Sequence, residues 1–350
     1  MDQARQTEVL DEGARLLALG DLDAARACFR GAVDLAPEAA GPHHHLAASL
    51  EALGRLGEAE VEYRVALTLA PGSGSTARAL AMLLLSQGRY AEGFALFERR
   101  HELAELAKPP LPFPEWRGEP VAGRKVLIWP EQGLGDQIQF ARFAPMLSRL
   151  GADVTLVCWP PLARLFELSL GVRVVAAAGA IEFPDPDYWV MAMSLAARLG
   201  LTPQTLPGDA YLSAPPAPAS LGDGARIGVL THGNPNNAND ANRSLGADQA
   251  ARLGGLPGAI DLDRAATGAR DFADTAAIIE NLDLVISVDT AVAHLAGAMG
   301  KPCWTLLPRP NTDWRWLRDR RDSPWYPSMR LFRQAAPGNW AGVIDEVLLM

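Results

Sequence analysis

Leu282-Asp283-Leu284-Val285-Ile286-Ser287-Val288-Asp289-Thr290-Ala291-Val292-Ala293-His294-Leu295-Ala296-Gly297 joins an apolar, β-branched run to a run of small helix-forming residues at Asp289-Thr290. Asp or Thr at a helix start caps the free backbone N–H groups there. Those N–H groups, with the positive end of the helix dipole, also form a site for a phosphate or a sugar hydroxyl. His294 falls about one turn into the helix, on the face of Thr290 and Ala291. Carboxylate, hydroxyl and imidazole therefore converge at the carboxyl end of a parallel strand, where open α/β sheets bind ligands.

Around this segment the pattern alternates between buried strands and amphipathic helices. Arg226 to Leu230 reads as a strand running into the polar loop 231–244, which carries Gly233, Asn234, Asn239 and Arg243. A guanidinium grips diphosphate oxygens bidentately, so Arg243 is a candidate phosphate ligand and otherwise a surface Arg. Helices at 245–253, 275–281 and 290–299 and strands at 260–262, 284–288 and 303–307 complete a doubly wound lobe. Pro215, Pro216 and Pro218 mark its upstream boundary.

A first lobe precedes it. Lys125 to Trp129 is a short buried strand, Gly133 and Gly135 make a turn, and a helix follows to near Leu150. Strands at 154–158, 172–175 and 188–193 and helices at 162–168 and 195–199 continue the alternation. Asp136 sits at the start of the first helix, facing the ligand edge of the sheet, either as a plain N-terminal cap or as a catalytic carboxylate. The two glycines fall short of a full dinucleotide fingerprint. Asp185-Pro186-Asp187 and Asp261-Leu262-Asp263 are discounted as metal ligands, and no metal is expected. The tail holding Trp314-Arg315-Trp316 and Trp325-Tyr326 has rings suited to stacking on a sugar or base and an Arg suited to phosphate, but packing of the last strand and helix onto the lobe is the favoured reading.

Residues 7 to about 105 are helical in pattern and repeat. Gly20, Gly54 and Gly88 recur every 34 residues, as do Phe29, Tyr63 and Phe97, and Pro37 and Pro71 keep the same step. A 34-residue helix–turn–helix unit with this pattern is the tetratricopeptide (TPR) repeat. The glycines are expected to allow close packing of paired helices, the aromatics to fill the gap between them, and the prolines to end the second helix. Stacked units present a concave surface to a partner, or simply cap the following domain. His43-His44-His45 cannot ligate one ion, because consecutive helix positions point about 100° apart. Lys108 to Pro114 separates the repeats from the lobes.

The 350 residues carry a net charge of −9, with 49% hydrophobic and 21% charged residues. This is globular composition, and it argues against a nucleic-acid partner, which needs a basic stripe. Cys28, Cys158 and Cys303 are far apart and read as small buried hydrophobes. No charged and apolar leader opens the chain, and no apolar run approaches ~18 residues, so no membrane span and a soluble, cytoplasmic protein are expected.

With these motifs in hand, residues from about 115 to 345 resemble bacterial GT-B glycosyltransferases related to family 9, the heptosyltransferases. The whole chain is similar to TPR-linked bacterial sugar transferases, including those that modify flagellin. The resemblance implies helical repeats at 1–107, then two Rossmann-like lobes at 115–217 and 220–350 in a GT-B arrangement. It implies an inverting, metal-independent glycosyltransferase with a nucleotide-sugar as substrate and no separate cofactor. Gly135-Asp136 matches the family's Gly-Asp, with Asp136 the general base. Asp289-Thr290 with His294 matches the donor-holding motif, and Arg243 corresponds to a basic residue near the donor phosphates. Gly233, Asn234, Asn239 and the backbone at 290–291, including Ala291, complete the expected donor site. The acceptor implied is a protein such as flagellin, recruited by the repeats. Two alternatives stay open: an inactive TPR adaptor with degenerate lobes, and a transferase acting on lipopolysaccharide.

Overall fold

The computed structural model describes residues 2–215, 226–309 and 311–350. Pro216 and Pro218, expected to mark a boundary, lie outside the described residues. The chain divides into two compact units, Met1–Pro109 and Pro110–Met350. The helical-repeat-then-α/β order read from the sequence is present.

The first unit comprises α1 (Asp2–Ala18), α2 (Leu22–Leu35), α3 (Ala40–Ala52), α4 (Leu56–Leu69), α5 (Gly74–Ser86) and α6 (Tyr90–Phe97), paired as three helical hairpins. Phe29, Tyr63 and Phe97 are buried between helices, and Pro37 and Pro71 follow the last residues of α2 and α4, as their spacing predicts. The repeating glycines, however, do different work from that expected. Gly20, Gly54 and Gly88 have φ of +79°, +78° and +76°, and a Cβ at Gly20 or Gly54 would meet nothing within 4 Å. They close the first helix of each pair in a left-handed turn. The next N–H, of Asp21, Arg55 or Arg89, donates back to Leu16, Leu50 or Leu84 at 2.9–3.0 Å. Close packing falls elsewhere: a Cβ on Gly13 would lie 2.6 Å from the Phe29 ring, and one on Gly93 2.7 Å from Leu85. Ala25 and Ala59 hold the place of Gly93 in the earlier units, and Ala47 and Ala81 that of Gly13 in the later ones.

The three histidines diverge as helix geometry requires. His43 hydrogen-bonds Glu62 at 2.6 Å, His44 hydrogen-bonds Thr76 at 3.1 Å, and His45 stacks on Phe29.

The second unit contains two parallel sheets. The first is built from β1 (Lys125–Trp129), α7 (Leu134–Ala141), α8 (Phe143–Arg149), β2 (Asp153–Cys158), α9 (Pro160–Ser169), β3 (Arg173–Ala176), β4 (Tyr188–Met191) and α10 (Leu195–Arg198), in the order β3-β2-β1-β4. The helix expected to run to near Leu150 breaks at Arg142, because Pro145 has no N–H to offer the Ala141 carbonyl. The segment before β1 extends the sheet edge, with Trp116 N–H donating to the Trp189 carbonyl at 2.7 Å.

The second sheet has the order β6-β5-β7-β8-β9. Its elements are β5 (Ile227–Leu230), α11 (Asp240–Arg243), α12 (Ala247–Gly254), β6 (Ala259–Asp261), α13 (Arg264–Thr267), α14 (Phe272–Glu280), β7 (Leu284–Val288), α15 (Ala291–Ala298), β8 (Cys303–Leu307), β9 (Met329–Arg333) and α16 (Trp340–Leu348). Counted within the lobe this is 2-1-3-4-5, so the winding reverses between β5 and β7. Crevices at such a reversal, beyond the carboxyl ends of the strands, are where doubly wound sheets hold ligands. The 231–244 loop leaves β5 there, and Asp289-Thr290 leaves β7. Among the described residues no helix is long and apolar enough to cross a membrane.

The two kinds of glycine in the repeats should separate by substitution. Gly54→Ala is expected to cost about 1–2 kcal/mol through left-handed backbone strain, and Gly54→Asn clearly less, since Asn tolerates that conformation. Gly93→Ala should cost about 1–3 kcal/mol by overpacking against Leu85, and Gly93→Asn more still. Denaturant unfolding of the full chain reads both pairs. An Asn that costs as much as Ala at position 54 would contradict the conformational role.

Candidate functional site

Thr290 precedes α15 in extended conformation, but its hydroxyl hydrogen-bonds Ser287 Oγ at 3.0 Å rather than capping the helix. The first-turn N–H groups of α15 therefore have no side-chain cap, and Thr290, Ala291 and Val292 line a cavity. One turn on, His294 is 6% exposed. Its Nδ1 lies 3.0 Å from the Tyr326 hydroxyl, and its ring stacks on Trp316 with centroids 5.1 Å apart. Burial, with Arg315 and Arg142 nearby, holds its pKa well below the usual value, so the imidazole is neutral near pH 7.

The loop after β5 folds back over this helix start. Arg243 donates from Nη1 to the Asp289 carbonyl at 2.8 Å and from Nε to Asp240 Oδ1 at 3.0 Å. Gly233 makes room for it: a Cβ there would lie 2.6 Å from Arg243 Cζ. The Gly233 N–H is occupied by Ser244 Oγ at 3.0 Å, so this glycine contributes space rather than a free donor. Asn234 faces the cavity. Asn239, expected in the donor site, does not line it. Its amide donates to the Asn311 carbonyl at 3.1 Å and accepts from Asn242 at 2.8 Å, which makes it a loop brace.

From the first lobe, the start of α7 meets the start of α15. A Cβ on Gly135 would come within 2.8 Å of His294 Cδ2 and 3.5 Å of Ala291 Cα. Asp136 serves as the cap that its position allowed, its Oδ2 accepting the Gly133 N–H at 2.8 Å. Its Oδ1 accepts from Arg315 Nη2. Burial raises the Asp136 pKa, and the Arg315 charge opposes that rise. Asp289 is pushed up to about 7 by burial and by the neighbouring Asp313 carboxylate.

These groups share one cavity of about 680 Å³. Asp136, Gly233, Asn234, Arg243, Asp289, Thr290, Ala291 and His294 all line it, joined by Arg315, Asp313, His232 and Asp263. Arg315 corrects the reading of the tail as packing. Trp314 and Trp316 are indeed buried, but the Arg between them reaches the cavity and the opposite lobe. The signal available in sequence was a lone Arg between two Trp, residues suited to holding a guanidinium on an aromatic face. Of the two Asp-X-Asp pairs, Asp263 caps α13 and hydrogen-bonds His232 at 3.0 Å, and Asp187 accepts the Lys125 N–H at 2.8 Å.

Comparison with known proteins agrees with this architecture. Residues 249–317 match the model of glycosyltransferase family 9 (heptosyltransferase), a stretch that takes in Asp289, His294 and Arg315. Residues 16–38 match a tetratricopeptide repeat. The chain is thus similar to a TPR-linked glycosyltransferase of the family 9 kind. It is 28% identical over 309 residues to Protein FlbA of Caulobacter vibrioides, an alignment covering 73% of this chain and 51% of FlbA. The chain therefore spans about half the length of that relative. Among solved structures, the P58(IPK) TPR domain is 26% identical, covering 27% of this chain and 26% of its own, with a TM-score of 0.26. MamA of AMB-1 is 28% identical, covering 27% and 52% respectively, with a TM-score of 0.25.

Two outcomes follow from the geometry. Gly135→Ala forces α7 away from His294 and should cost about 1–3 kcal/mol of stability, whereas the same change at open Gly171 should not act by overpacking. A His whose folded pKa is depressed favours the native state above about pH 6.5, and that contribution is lost as pH falls further. The unfolding free energy of the wild-type chain should therefore drop more between about pH 7.5 and about pH 5, either side of the ordinary histidine midpoint, than that of His294→Gln. Equal drops would mean that His294 titrates normally.

Proposed function

We propose that the second unit is a glycosyltransferase with two Rossmann-like lobes in a GT-B arrangement. It moves a sugar from a nucleotide-sugar donor to a hydroxyl of an acceptor, with inversion and without a metal ion. The observation that carries this reading is the shared cavity, onto which a carboxylate from one lobe and an uncapped helix start with Arg243 from the other both open.

The chemistry assigns each group a task. Asp136 takes the proton of the acceptor hydroxyl as its oxygen bonds to the sugar anomeric carbon. The bond from that carbon to the donor phosphate breaks, and the nucleoside diphosphate leaves with the electron pair. Arg243 and the first N–H groups of α15 face the charge that develops on the leaving diphosphate, the electrostatic contribution that usually dominates such steps. Neutral His294 and Asp289 orient the donor. Asn234 stands where it can hydrogen-bond the donor, and Gly233 keeps the Arg243 guanidinium close. The repeats recruit the acceptor, a protein of the flagellin kind, on their concave side. The family 9 match supports sugar transfer, and the FlbA likeness supports the pairing of repeats with lobes.

Asp136→Asn should reduce turnover by about 10²–10⁴-fold while donor affinity, measured by calorimetry, is retained. Arg243→Gln should weaken donor binding about 10–100-fold, the range of one lost charge-assisted bond. Titration of the full chain with a panel of nucleotide sugars supplies the baseline. If none binds, the chain is an adaptor, and if Asp136→Asn turns over normally, the base lies elsewhere.

A further inference from the structure

Arg315 lies in the turn after β8, is 4% exposed, and has every nitrogen engaged by a side chain. Nη1 donates to Asp313 Oδ2 at 2.8 Å, Nε donates to Gln139, and Nη2 donates to Asp136. Its Cζ sits 4.7 Å from the Trp314 ring centroid and 5.9 Å from that of Phe140. A guanidinium fixed this way cannot swing to follow a ligand. Two of its three partners, Asp136 and Gln139, belong to α7 of the other lobe. Asp136 is held just as closely: one oxygen takes the Gly133 N–H and the other takes Arg315.

The side chain of Asp136 is 19% exposed, and burial drives a carboxyl toward its protonated form. A protonated Asp136 could not accept a hydroxyl proton. The charged and titratable groups facing it are Arg315, which favours the anion, and Asp313 and Glu131, which disfavour it. Neutral His294 lies across the Gly135 contact. Asp313 has a double effect, repelling the Asp136 charge and drawing part of the Arg315 charge to itself.

We propose that Arg315 is a positioning residue: reaching from the second lobe, it keeps the Asp136 carboxylate ionised and aimed at the cavity, and Asp313 tempers it. This deepens the transferase reading and rests on it for the role of Asp136 as base. The charge state of Asp136 can nevertheless be read without any substrate.

The test is a carboxyl-carbon NMR titration of the full chain labelled at aspartate, with Asp136→Asn assigning the resonance. Arg315→Gln should raise the Asp136 midpoint by about one unit or more, the size of shift an adjacent opposite charge produces. Arg315→Lys should recover part of it, and Asp313→Asn should move the midpoint down. Opposite signs distinguish this electrostatic role from general loosening, which circular dichroism monitors separately. A midpoint unmoved by Arg315→Gln, or raised by Asp313→Asn, overturns the proposal. If Arg315→Gln does not fold, Arg315→Lys and Asp313→Asn still decide it by the sign of their shifts. In transfer assays the same displacement should appear in the acid limb of kcat against pH, with donor KM little changed. If the titration behaves as expected in a chain that transfers no sugar, the transferase reading fails while the Arg315–Asp136 coupling stands.

Discussion

The rest of the site depends on a close approach that residue 135 permits by lacking a side chain. α7 and α15 come together start to start, near enough that one added carbon would strike His294. Both helices present their positive ends to the same gap, an arrangement that repels itself unless negative charge is supplied. Asp136 and Asp313 supply it, and Arg315 keeps these two carboxylates from repelling each other in turn. The site is therefore a balance of charges in which each lobe completes the other.

Other contacts between the lobes have different weights. Arg164 on α9 bridges to Asp271 and Asp274 at the start of α14, yet its side chain is 40% exposed, and such surface pairs add little to stability. The buried seam matters more. Phe140, Trp325 and Tyr326 pack there with His294 and Trp316, so the imidazole is held by aromatic faces as well as by its hydrogen bond. Its neutrality is a property of this packing.

The strands up to β8 were legible because each is a short apolar run closed by a turn, and β1, β7 and β8 fall where the pattern placed them, whereas β9, with Arg330 and Arg333 breaking its apolar run, was not read. The repeat period was legible too, but the task of its glycines was not. A 34-residue step marks a position without saying whether the backbone or the space needs glycine, and φ at Gly54 and the Leu85 contact at Gly93 give different answers. Among the site residues, the Asp289–His294 spacing placed its members at one strand-to-helix junction, so their meeting could be read locally. Asn239 lay in an Asn-rich loop where several amides were equally plausible, and loop folding committed it to bracing. Arg315 escaped because its decisive contact spans 179 residues and joins two lobes. Nothing in a linear pattern reports such a pairing.

Arg142 carries the same logic in another form. It is buried at the seam, without a carboxylate partner among the described residues, donating to the carbonyls of Pro207 and Trp325 at 2.8 and 2.9 Å and lying over the rings of Tyr211 and Tyr326. Carbonyls belong to the main chain and stay in place whatever residue bears them. At this point of the seam the lobes are thus joined through the path of the main chain, alongside the ionic pairs that Arg315 and Arg164 make elsewhere. Side chains at 207 can drift over generations without unlocking the joint, provided the loop keeps its course.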